Sequence, residues 1–313
     1  MQYRQLGKSG VRVSVIGLGT NRFGYERMPQ EQVNRVIDAA LDLGINFLDS
    51  ADVYQDGRSE ETLGKALQNR RNRFVLATKY YSKTGEGPND WGASRYHLYD
   101  AVEASLRRLQ TDHIDLYYVH NFDDATPFEE MSRGLDDLVR AGKVRYIGAS
   151  NFLTWQIARA NLLAQVHGWS PFVVSQAHYH MLERGPEKEM LSFCRSQGVG
   201  LIPYFPLAGG FLTGKYRRNQ PAPAGSRGES SPYVQKYMTD ANYAIVERLG
   251  EWAGEHGHTI GDAAHAWLLA HTEVSSVISG ATRLEQVQLN AQAADWVLTP
   301  DELKQVNQIL QGE

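Results

Sequence analysis

The sequence predicts an α/β fold, a (β/α)₈ TIM barrel with an N-terminal β-hairpin and a long loop after the seventh strand. Short apolar runs alternate with amphipathic helical patterns along the chain, which indicates a parallel sheet. Eight such runs occur, the number that closes this barrel. An open doubly wound sheet is the rival fold, but its G-x-G-x-x-G fingerprint fails, because Arg22 stands where a third glycine should follow Gly17 and Gly19. We expect one domain over residues 1–313.

The predicted elements begin with a hairpin. Gln2–Leu6 and Val11–Val13 flank the segment 7–10, whose sequence GKSG is typical of a turn. The eight barrel strands are expected at Val15–Leu18, Asn46–Leu48, Phe74–Thr78, Ile114–Val119, Val144–Ile147, Val173–Gln176, Val199–Tyr204 and Val274–Ile278. Helices are expected at Gln30–Leu43, Asp100–Leu109, Phe128–Val139, Ile157–Val166, Met190–Arg195 and Ala263–Ala270. Gly44 and Gly142 follow two of these helices as C-terminal caps.

Residues 205–240 interrupt this alternation. They are rich in glycine, proline and serine, and no regular element of useful length fits them. Long loops in compact domains are usually functional or disordered. This loop follows the seventh predicted strand, and phosphate sites in such barrels commonly lie after strands seven and eight.

Charge and composition exclude several protein classes. Lys plus Arg number 32 and Asp plus Glu 36, which gives a net charge of −4. A mildly acidic chain gives no support for nucleic-acid binding. The single cysteine, Cys194, rules out an internal disulfide and favours a reducing compartment. No apolar signal segment opens the chain, and the longest run without a charged residue, 160–182, contains many polar residues. We expect a cytoplasmic protein with no membrane partner, and the oligomeric state stays open.

Four reactive side chains lie at or just beyond predicted strand ends: Asp49, Tyr54, Lys79 and His120. Active sites of these barrels lie at the C-terminal ends of the strands, so we expect the four around one rim. A lysine cation lowers a tyrosine pKa from roughly 10, so Tyr54 can act as a general acid while Asp49 keeps Lys79 charged. His120 can donate a hydrogen bond to a carbonyl oxygen. This set reduces a carbonyl but supplies no hydride, so a nicotinamide cofactor is required.

Each of the four residues has another interpretation when it is taken alone. Asp49 suits a helix cap or a turn, Tyr54 an amphipathic surface position, and His120 a structural histidine. Lys79 suits a Schiff-base lysine, which some barrel enzymes use. Their joint occurrence at adjacent strand ends favours the catalytic interpretation.

The motifs around these residues resemble those of the aldo-keto reductases, over nearly the whole chain. The matching segments are Asn46–Tyr54 (NFLDSADVY), Phe74–Lys79 (FVLATK), Ile114–His120 (IDLYYVH), Lys143–Asn151 (KVRYIGASN), Tyr204–Tyr216 (YFPLAGGFLTGKY) and Ile278–Asn290 (ISGATRLEQVQLN). The resemblance implies a barrel with an N-terminal hairpin that reduces aldehydes or ketones. It implies that Tyr54 donates the proton, Lys79 lowers its pKa, Asp49 pairs with Lys79, and His120 orients the carbonyl. Potassium-channel β-subunits, relatives of the similar bacterial branch, have asparagine at the His120 position, so His120 favours an active reductase.

The resemblance also implies the cofactor contacts. Ser150, Asn151 and Gln176 match positions that hold the nicotinamide carboxamide, and Tyr204 matches the residue that stacks on the ring. The other implied contacts are Thr20, Asn21 and Asp49 near the reaction centre, Pro206, Leu207, Gly209, Leu212 and Lys215 along the pyrophosphate, Arg227 at the adenosine phosphate, and Gly280, Thr282, Arg283, Gln286 and Asn290 around the last motif.

NADPH (NADP⁺) is the expected cofactor, ahead of NADH. Many family members have a lysine at the position of Gly280, where it contacts the 2′-phosphate. Arg283 and Arg227 are the candidate substitutes here, although Arg227 also suits a solvated surface position. Thr282 and Glu285 form the T-x-x-E pattern of a capping box, which predicts a phosphate-attracting helix start at this motif.

Aromatic residues in the loops near the predicted mouth indicate an apolar pocket for a small aldehyde or ketone. Tyr25 and Phe122, together with Tyr54 and His120, are the expected pocket residues, and general loop packing is the alternative for the first two. The Gly-rich segment 82–93 could be a lid. The alternating histidines at 178/180 and 256/258 lack HExxH spacing and a cysteine partner, so no metal is expected.

Three functions follow from the sequence. The first is an NADPH-dependent carbonyl reductase acting on a small-molecule substrate. The second is a redox-sensing module that binds NADPH and turns over slowly. The third is a Schiff-base aldolase that uses Lys79.

Overall fold

A closed barrel of eight parallel strands forms the centre of the protein, in a computed structural model that describes residues 1–312. The observed architecture confirms the predicted fold. The barrel strands are β3 (Ile16–Gly19), β4 (Phe47–Asp49), β5 (Val75–Tyr80), β6 (Ile114–Val119), β7 (Val144–Ser150), β8 (Phe172–His178), β9 (Gly200–Tyr204) and β10 (Val277–Gly280). They pair in chain order, and β10 closes the barrel against β3.

The predicted N-terminal hairpin is confirmed and seals one end of the barrel. Strands β1 (Tyr3–Gln5) and β2 (Arg12–Ser14) pair antiparallel. Leu6 and Val13, beside and within the hairpin, are fully buried against apolar side chains of the barrel interior. The hairpin therefore keeps water out of the end opposite the strand tips.

Helices surround the barrel. Their bounds are α1 (Gln30–Asp42), α2 (Arg58–Ala66), α3 (Arg95–Leu109), α4 (Phe128–Arg140), α5 (Thr154–His167), α6 (Met190–Gln197), α7 (Arg227–Ser230), α8 (Pro232–Gln235), α9 (Asp240–Glu255), α10 (Ile260–Leu269), α11 (Leu284–Gln292) and α12 (Pro300–Gln311). Helices α2, α9 and α12 were not predicted from periodicity. For α12 a signal was present, because Thr299 and Glu302 form a capping box. Among residues 1–312 no helix is both long and apolar enough to cross a bilayer.

Several predicted boundaries differ from the observed ones, among them the start of α3 and the bounds of the last strand. Helix α3 starts at Arg95 and not at Asp100, because the Ser94 hydroxyl caps the backbone N–H of His97. The last strand covers Val277–Gly280, whereas Val274 forms an isolated bridge with Leu201 of β9. Residues 274–276 therefore lead into the barrel along β9 before β10 pairs with β3.

The period of two along each strand places the site on top of the core. Phe47, Ala77 and Leu116 belong to the interior apolar cluster. Side chains two residues further along a strand point to the same face. Asp49 and Lys79 therefore lie one layer above Phe47 and Ala77, at the C-terminal rim of the barrel.

The hairpin turn at Gly7 depends on glycine. Its φ is +55°, and a Cβ there would lie 2.3 Å from the Val173 carbonyl oxygen and 2.8 Å from that of Gly198. Both obstacles are backbone atoms, so they cannot move aside as a flexible side chain could. At Gly10, in the same turn, φ is not positive and a Cβ would have nothing within 4 Å.

We expect Gly7→Ala to lower the free energy of unfolding by roughly 2 kcal/mol or more, through backbone strain and the clash. Urea denaturation followed by circular dichroism measures the change. Gly10→Ala is the matched control and should keep the wild-type midpoint. Equal midpoints for the two variants would contradict the close approach at Gly7.

Candidate active site

The four predicted catalytic side chains converge at the rim. Asp49 ends β4, Lys79 lies one residue before the end of β5, and His120 directly follows β6. Tyr54 belongs to the turn between β4 and α2, where its backbone N–H donates to the Ala51 carbonyl. The structure therefore brings together side chains that are 71 positions apart along the chain, from Asp49 to His120.

Lys79 is the hub of the cluster. Its Nζ donates to Asp49 Oδ1 at 2.6 Å, to the Ser50 carbonyl at 2.6 Å and to Tyr54 Oη at 3.3 Å. An ammonium group has three N–H donors, and these three acceptors use all of them. Tyr54 Oη thus accepts from Lys79, which leaves its own O–H free to donate towards another acceptor.

The ion pair decides the charge state of Lys79. The side chain of Lys79 is 0% exposed and Asp49 is 3% exposed. Burial alone lowers the pKa of Lys79, but Asp49 and Tyr54 outweigh it and raise the pKa above its ordinary value. Lys79 is therefore a cation at neutral pH.

The pKa of Tyr54 differs from the sequence expectation. Burial raises the pKa of Tyr54 above 10.0, and the neighbouring Lys79 cation only opposes part of that rise. The expectation took account of the cation but not of the loss of water around the phenol. Tyr54 is therefore protonated at neutral pH, the state in which a phenol can give up a proton.

His120 is neutral at physiological pH. Burial and the nearby Lys79 cation lower the pKa of His120 to about 3. Its ring lies edge-on to Tyr54, with 6.0 Å between the ring centroids. Within the described residues its buried Nδ1 has no hydrogen-bond partner. A neutral imidazole carries one N–H, which can donate to an oxygen placed beside Tyr54.

The amide and hydroxyl residues predicted to hold a carboxamide lie at the ends of the adjacent strands β7 and β8, with Ser150 ending β7, Asn151 directly after it and Gln176 on β8. Asn151 Nδ2 donates to the His120 carbonyl at 2.9 Å and to Ser150 Oγ at 3.2 Å. Asn151 Oδ1 accepts from the Tyr204 hydroxyl at 2.9 Å. Gln176 Nε2 donates to Asp49 Oδ2 at 2.8 Å. These groups form one hydrogen-bonded rim, and their contacts with a cofactor stay a prediction.

The residues after β3 support the rim from the other side. The Thr20 hydroxyl donates to the Asp49 carbonyl at 3.0 Å and is fully buried. The Asn21 carbonyl accepts from Gln55. Gly280 is exposed, and a Cβ there would come no nearer than 3.8 Å to Asn21 Oδ1. The absence of a lysine at Gly280 is therefore not a consequence of crowding.

The long loop turns sharply beside Tyr204. Phe205, Ala208, Gly209 and Gly210 all have positive φ values, and residues 208–213 form a 3₁₀ turn. Of the residues predicted along a pyrophosphate, Pro206 and Leu212 are buried, Leu207 and Gly209 are half-buried, and Lys215 is exposed. Short helices α7 and α8 complete the segment, which had been expected to lack regular structure.

Four cations at the mouth have no carboxylate partner within the part of the chain that the structure describes: Arg22, Lys215, Arg227 and Arg283. They follow β3, β9 and β10, which are neighbours in the barrel. The Arg227 guanidinium lies 5.8 Å from the Phe205 ring centre. Burial and the proximity of Arg22 lower its pKa. Arg22 was not among the residues predicted from the sequence, although its position directly after Thr20 and Asn21 was a usable signal.

The predicted capping box at Thr282 is wrong in detail. Arg283 is extended (φ −140°, ψ 153°) and is the N-cap residue, so α11 starts at Leu284. This shift of one residue places Gln286, and not Glu285, at the third helical position. Gln286 Oε1 accepts from the Thr282 backbone N–H at 2.8 Å. Asn290, on the same helix, is buried.

Of the two loop aromatics predicted in the substrate pocket, Phe122 packs into an aromatic cluster with Phe128, Phe152 and Trp155, with ring centroids 5.3–6.0 Å apart. General packing thus accounts for its contacts. Tyr25 is 43% exposed beneath the Arg22 guanidinium.

The segment 82–93, the predicted lid, is held together by Asp90, whose carboxylate and carbonyl accept from the backbone N–H groups of Gly87 and Thr84. The pocket and lid roles stay predictions.

The histidine pairs have ordinary hydrogen-bonding and stacking partners. His178 and His180 contact each other and two tyrosines, and His258 stacks on Trp296 with ring centroids 4.0 Å apart. Over residues 1–312, no group of three or more His, Cys, Asp or Glu side chains is arranged to hold a metal ion.

Asp52 is a buried acid that was not singled out from the sequence. It lies two residues before Tyr54 and is 2% exposed, and within the described chain neither carboxylate oxygen has a hydrogen-bond partner. The Arg108 guanidinium is engaged by Glu60, whose Oε2 accepts from Arg108 Nε at 2.7 Å. Burial raises the pKa of Asp52 to about 8, Glu60 adds to this rise, and Arg108 and Lys79 oppose it.

Comparison with known proteins gives the chain its relatives. A family model described as "Aldo/keto reductase family" matches residues 15–311. The uncharacterized oxidoreductase YrpG of Bacillus subtilis is 36% identical, over 100% of this chain and 97% of its own length. A probable voltage-gated potassium channel subunit beta of Arabidopsis thaliana is also 36% identical, over 100% and 98%. The L-glyceraldehyde 3-phosphate reductase of Escherichia coli K12 is 33% identical, over 100% and 94%.

Replacing Asp52 should change how stability depends on pH. The folded-state pKa lies near 8 and the ordinary value is 3.8. The stability that protonated Asp52 contributes is fully present below the ordinary pKa and is lost as the pH rises through the folded-state pKa. We expect the melting temperature of Asp52→Asn to rise relative to that of wild type as the pH increases from about 5 to about 9.

Thermal denaturation followed by circular dichroism across this pH range measures the difference. Asp124→Asn, at an exposed turn position, is the control and should keep a constant offset from wild type. A constant offset for Asp52→Asn as well would show that Asp52 has an ordinary pKa in the folded protein.

Proposed function

The chain belongs to the aldo/keto reductase family, and from this premise we propose that it reduces aldehydes or ketones to alcohols with NADPH, with Tyr54 as the proton donor. Membership of the family makes the protein an NAD(P)H-dependent oxidoreductase. The choice of NADPH, the roles of the individual residues and the class of substrate are the parts that we propose.

The hydrogen bonding of Lys79 is the observation that supports this proposal most directly. Lys79 donates to Tyr54 Oη, so the phenol proton is directed away from Lys79 and is available to another acceptor. When Tyr54 gives this proton to a carbonyl oxygen, the tyrosinate forms beside a buried cation. His120, which is neutral, can donate to the same oxygen and hold it in line with Tyr54.

The donor set of the mouth fits a dinucleotide with several phosphates. The cations after β3, β9 and β10 lack carboxylate partners in the described chain, and Arg227 is half-buried. A polyanion would satisfy them. Bound NADPH would supply the hydride for the carbonyl carbon. Ser150, Asn151 and Gln176 would hold its carboxamide, and Tyr204 would stack on its nicotinamide ring.

We favour NADPH over NADH because NADPH carries an additional phosphate, and this site has cations in addition to the one beside the pyrophosphate. Lys215 belongs to the part of the loop that would cross the pyrophosphate, and Arg283 is the N-cap residue of α11. Arg227 and Arg283 are the residues that we assign to the 2′-phosphate. The single cysteine, Cys194, is buried and free, which is typical of proteins in a reducing compartment, and the proposal includes a cytoplasmic location.

The charge of Lys79 argues against the aldolase alternative. A Schiff base needs a neutral amine as nucleophile. Asp49 and Tyr54 instead keep the pKa of Lys79 raised, and all three of its N–H donors are engaged. The redox-sensor alternative shares the cofactor site and differs only in turnover, so steady-state kinetics separates it from the reductase.

Tyr54→Phe should lower kcat for reduction of 4-nitrobenzaldehyde by about 10²-fold or more, the usual contribution of a positioned general acid. The loss of NADPH absorbance in the near ultraviolet measures turnover. Binding of NADPH, followed by its fluorescence, should stay close to wild type, because Tyr54 acts on the substrate oxygen. Tyr96→Phe, at an exposed site on α3, is the control and should retain full activity.

An active Tyr54→Phe variant would reject Tyr54 as the proton donor. Wild-type protein that binds NADPH but turns over neither this aldehyde nor glyceraldehyde would favour the redox sensor. Wild-type protein that binds neither nucleotide would reject the proposed function altogether.

Arg227→Ala and Arg283→Ala should each raise the Kd for NADPH about tenfold, the loss expected for one charged hydrogen bond to a phosphate. The Kd for NADH should change little, because that nucleotide has no 2′-phosphate. Isothermal titration calorimetry measures both. Arg218→Ala is the matched control, since Arg218 is ion-paired with Asp240 and Glu247 in the same region. Equal losses for NADPH and NADH would contradict the assignment to the 2′-phosphate.

A further inference from the structure

His178 and Tyr204 form a stacked pair at the inner rim of the barrel. They are register partners at the ends of β8 and β9. Their rings are nearly parallel, at 6°, with 5.2 Å between the centroids. Each lies two residues beyond an interior position of its strand, Gln176 and Ile202, so both side chains point to the same side of the sheet. One face of Tyr204 is thus covered by the imidazole.

The imidazole of His178 is held from behind by a polar network. Tyr233 Oη contacts His178 Nε2. His180 Nε2 lies 3.1 Å from the same nitrogen and 3.2 Å from Tyr237 Oη. The backbone N–H of Leu182 donates to His180 Nδ1 at 3.2 Å.

These contacts determine which nitrogen of each neutral ring carries the proton. His180 Nδ1 accepts from Leu182, so the proton of His180 is on Nε2. Three groups surround His178 Nε2, namely His180 Nε2–H and the hydroxyls of Tyr233 and Tyr237, and all three can donate. We therefore assign this nitrogen as the acceptor and place the proton of His178 on Nδ1. In this arrangement the acceptor at the centre of the network, His178 Nε2, has a donor.

Both histidines are uncharged at neutral pH. Burial, together with Lys236, lowers the pKa of His178 to about 4 and that of His180 to about 3, and His178 also contributes to the second shift. Lys236 lies over the rings of Tyr233 and Tyr237. The Glu183 carboxylate is 3.9 Å from His178 Nδ1. A neutral imidazole stacks on a phenol without a charge to desolvate.

The opposite edge of Tyr204 is fixed as well. Its hydroxyl donates to Asn151 Oδ1, and Asn151 Nδ2 donates to the His120 carbonyl. The ring is thus held at one face by His178 and at its hydroxyl by Asn151. The remaining face is the one that a nicotinamide can cover.

The same network reaches the segment that follows the long loop. Tyr233 lies in α8 and packs on Phe205, with 5.1 Å between the centroids. The guanidinium of Arg227, at the start of α7, also lies over the Phe205 ring. The segment after the long loop therefore supplies, through Tyr233, one of the groups that hold His178.

We propose that His178 is a positioning residue that fixes the ring plane of Tyr204 for the nicotinamide. The inference rests on the proposed function, since it concerns the same nucleotide site. It assigns His178 a part in binding the nicotinamide end of the cofactor and none in binding its adenosine end.

His178→Leu tests this assignment, because leucine fills space but offers no flat ring and no acceptor. We expect the Kd for NADPH to rise about three- to tenfold, the range that corresponds to one lost aromatic stack. The Kd for adenosine 2′,5′-bisphosphate, which has the adenosine end and no nicotinamide, should stay within about twofold of wild type. Isothermal titration calorimetry measures both ligands, and thermal denaturation checks that each variant is folded.

Three further variants sharpen the test. His178→Phe keeps a flat ring and should recover most of the NADPH affinity. Tyr233→Phe removes only the hydroxyl that holds His178 and should cause a smaller loss in the same direction. His258→Leu is the matched control, since His258 also stacks in parallel on an aromatic ring, Trp296, and should leave both affinities unchanged.

The outcomes separate the inference from its premise. Equal losses for NADPH and the bisphosphate in His178→Leu would show a general structural role and overturn the inference. Unchanged affinity for NADPH would overturn it too. Wild-type protein that binds the bisphosphate but not NADPH would overturn the proposed nicotinamide site and this inference with it.

Discussion

The buried ion pair between Lys79 and Asp49 is the interaction on which the rest of the site depends. Removing a lysine from water is costly unless a counterion and further acceptors satisfy it. The barrel meets this need because β4 and β5 are neighbours, with Asp49 opposite Ala77 and Lys79 two residues further along. With Nζ saturated by Asp49, Ser50 and Tyr54, the direction of the phenol proton is decided by the same contacts that satisfy the charge.

The fold separates this polar layer from the apolar core by one step along each strand. Below Asp49 and Lys79, the barrel is filled by residues such as Phe47 and Ala77, and the N-terminal hairpin closes the far end. The charged layer formed by Asp49 and Lys79 is therefore shielded from water by the core on one side, whereas its other side faces the mouth. This asymmetry raises the pKa of Tyr54 and lowers that of His120, which keeps both in their neutral forms.

The mouth itself has two chemically different halves. The strands β4 to β6 carry Asp49 and Lys79 and lead into His120, whereas β9, β10 and β3 are followed by cations such as Arg22 and Arg227. Tyr204, at the end of β9, links the cationic half to β7 and β8, since its hydroxyl donates to Asn151 and its ring stacks on His178. A nucleotide whose hydride-donating ring and phosphates lie at opposite ends suits this division.

The architecture and much of the rim could be predicted from the amino-acid sequence. Periodicity and strand count predicted the barrel and the hairpin, and the positions of Asp49, Tyr54, Lys79 and His120 at predicted strand ends, together with the motif resemblance, indicated the cluster at the rim. These inferences work because parallel strands of a barrel bring their C-terminal ends together, so position along a strand is enough to predict proximity. Four features became visible only in the folded protein: the one-residue shift of the α11 start, the raised pKa of Tyr54, the raised pKa of Asp52 and the stack of His178 on Tyr204. Each of these depends on how much water is excluded or on which distant side chain arrives at contact distance, and neither quantity is written in local sequence pattern.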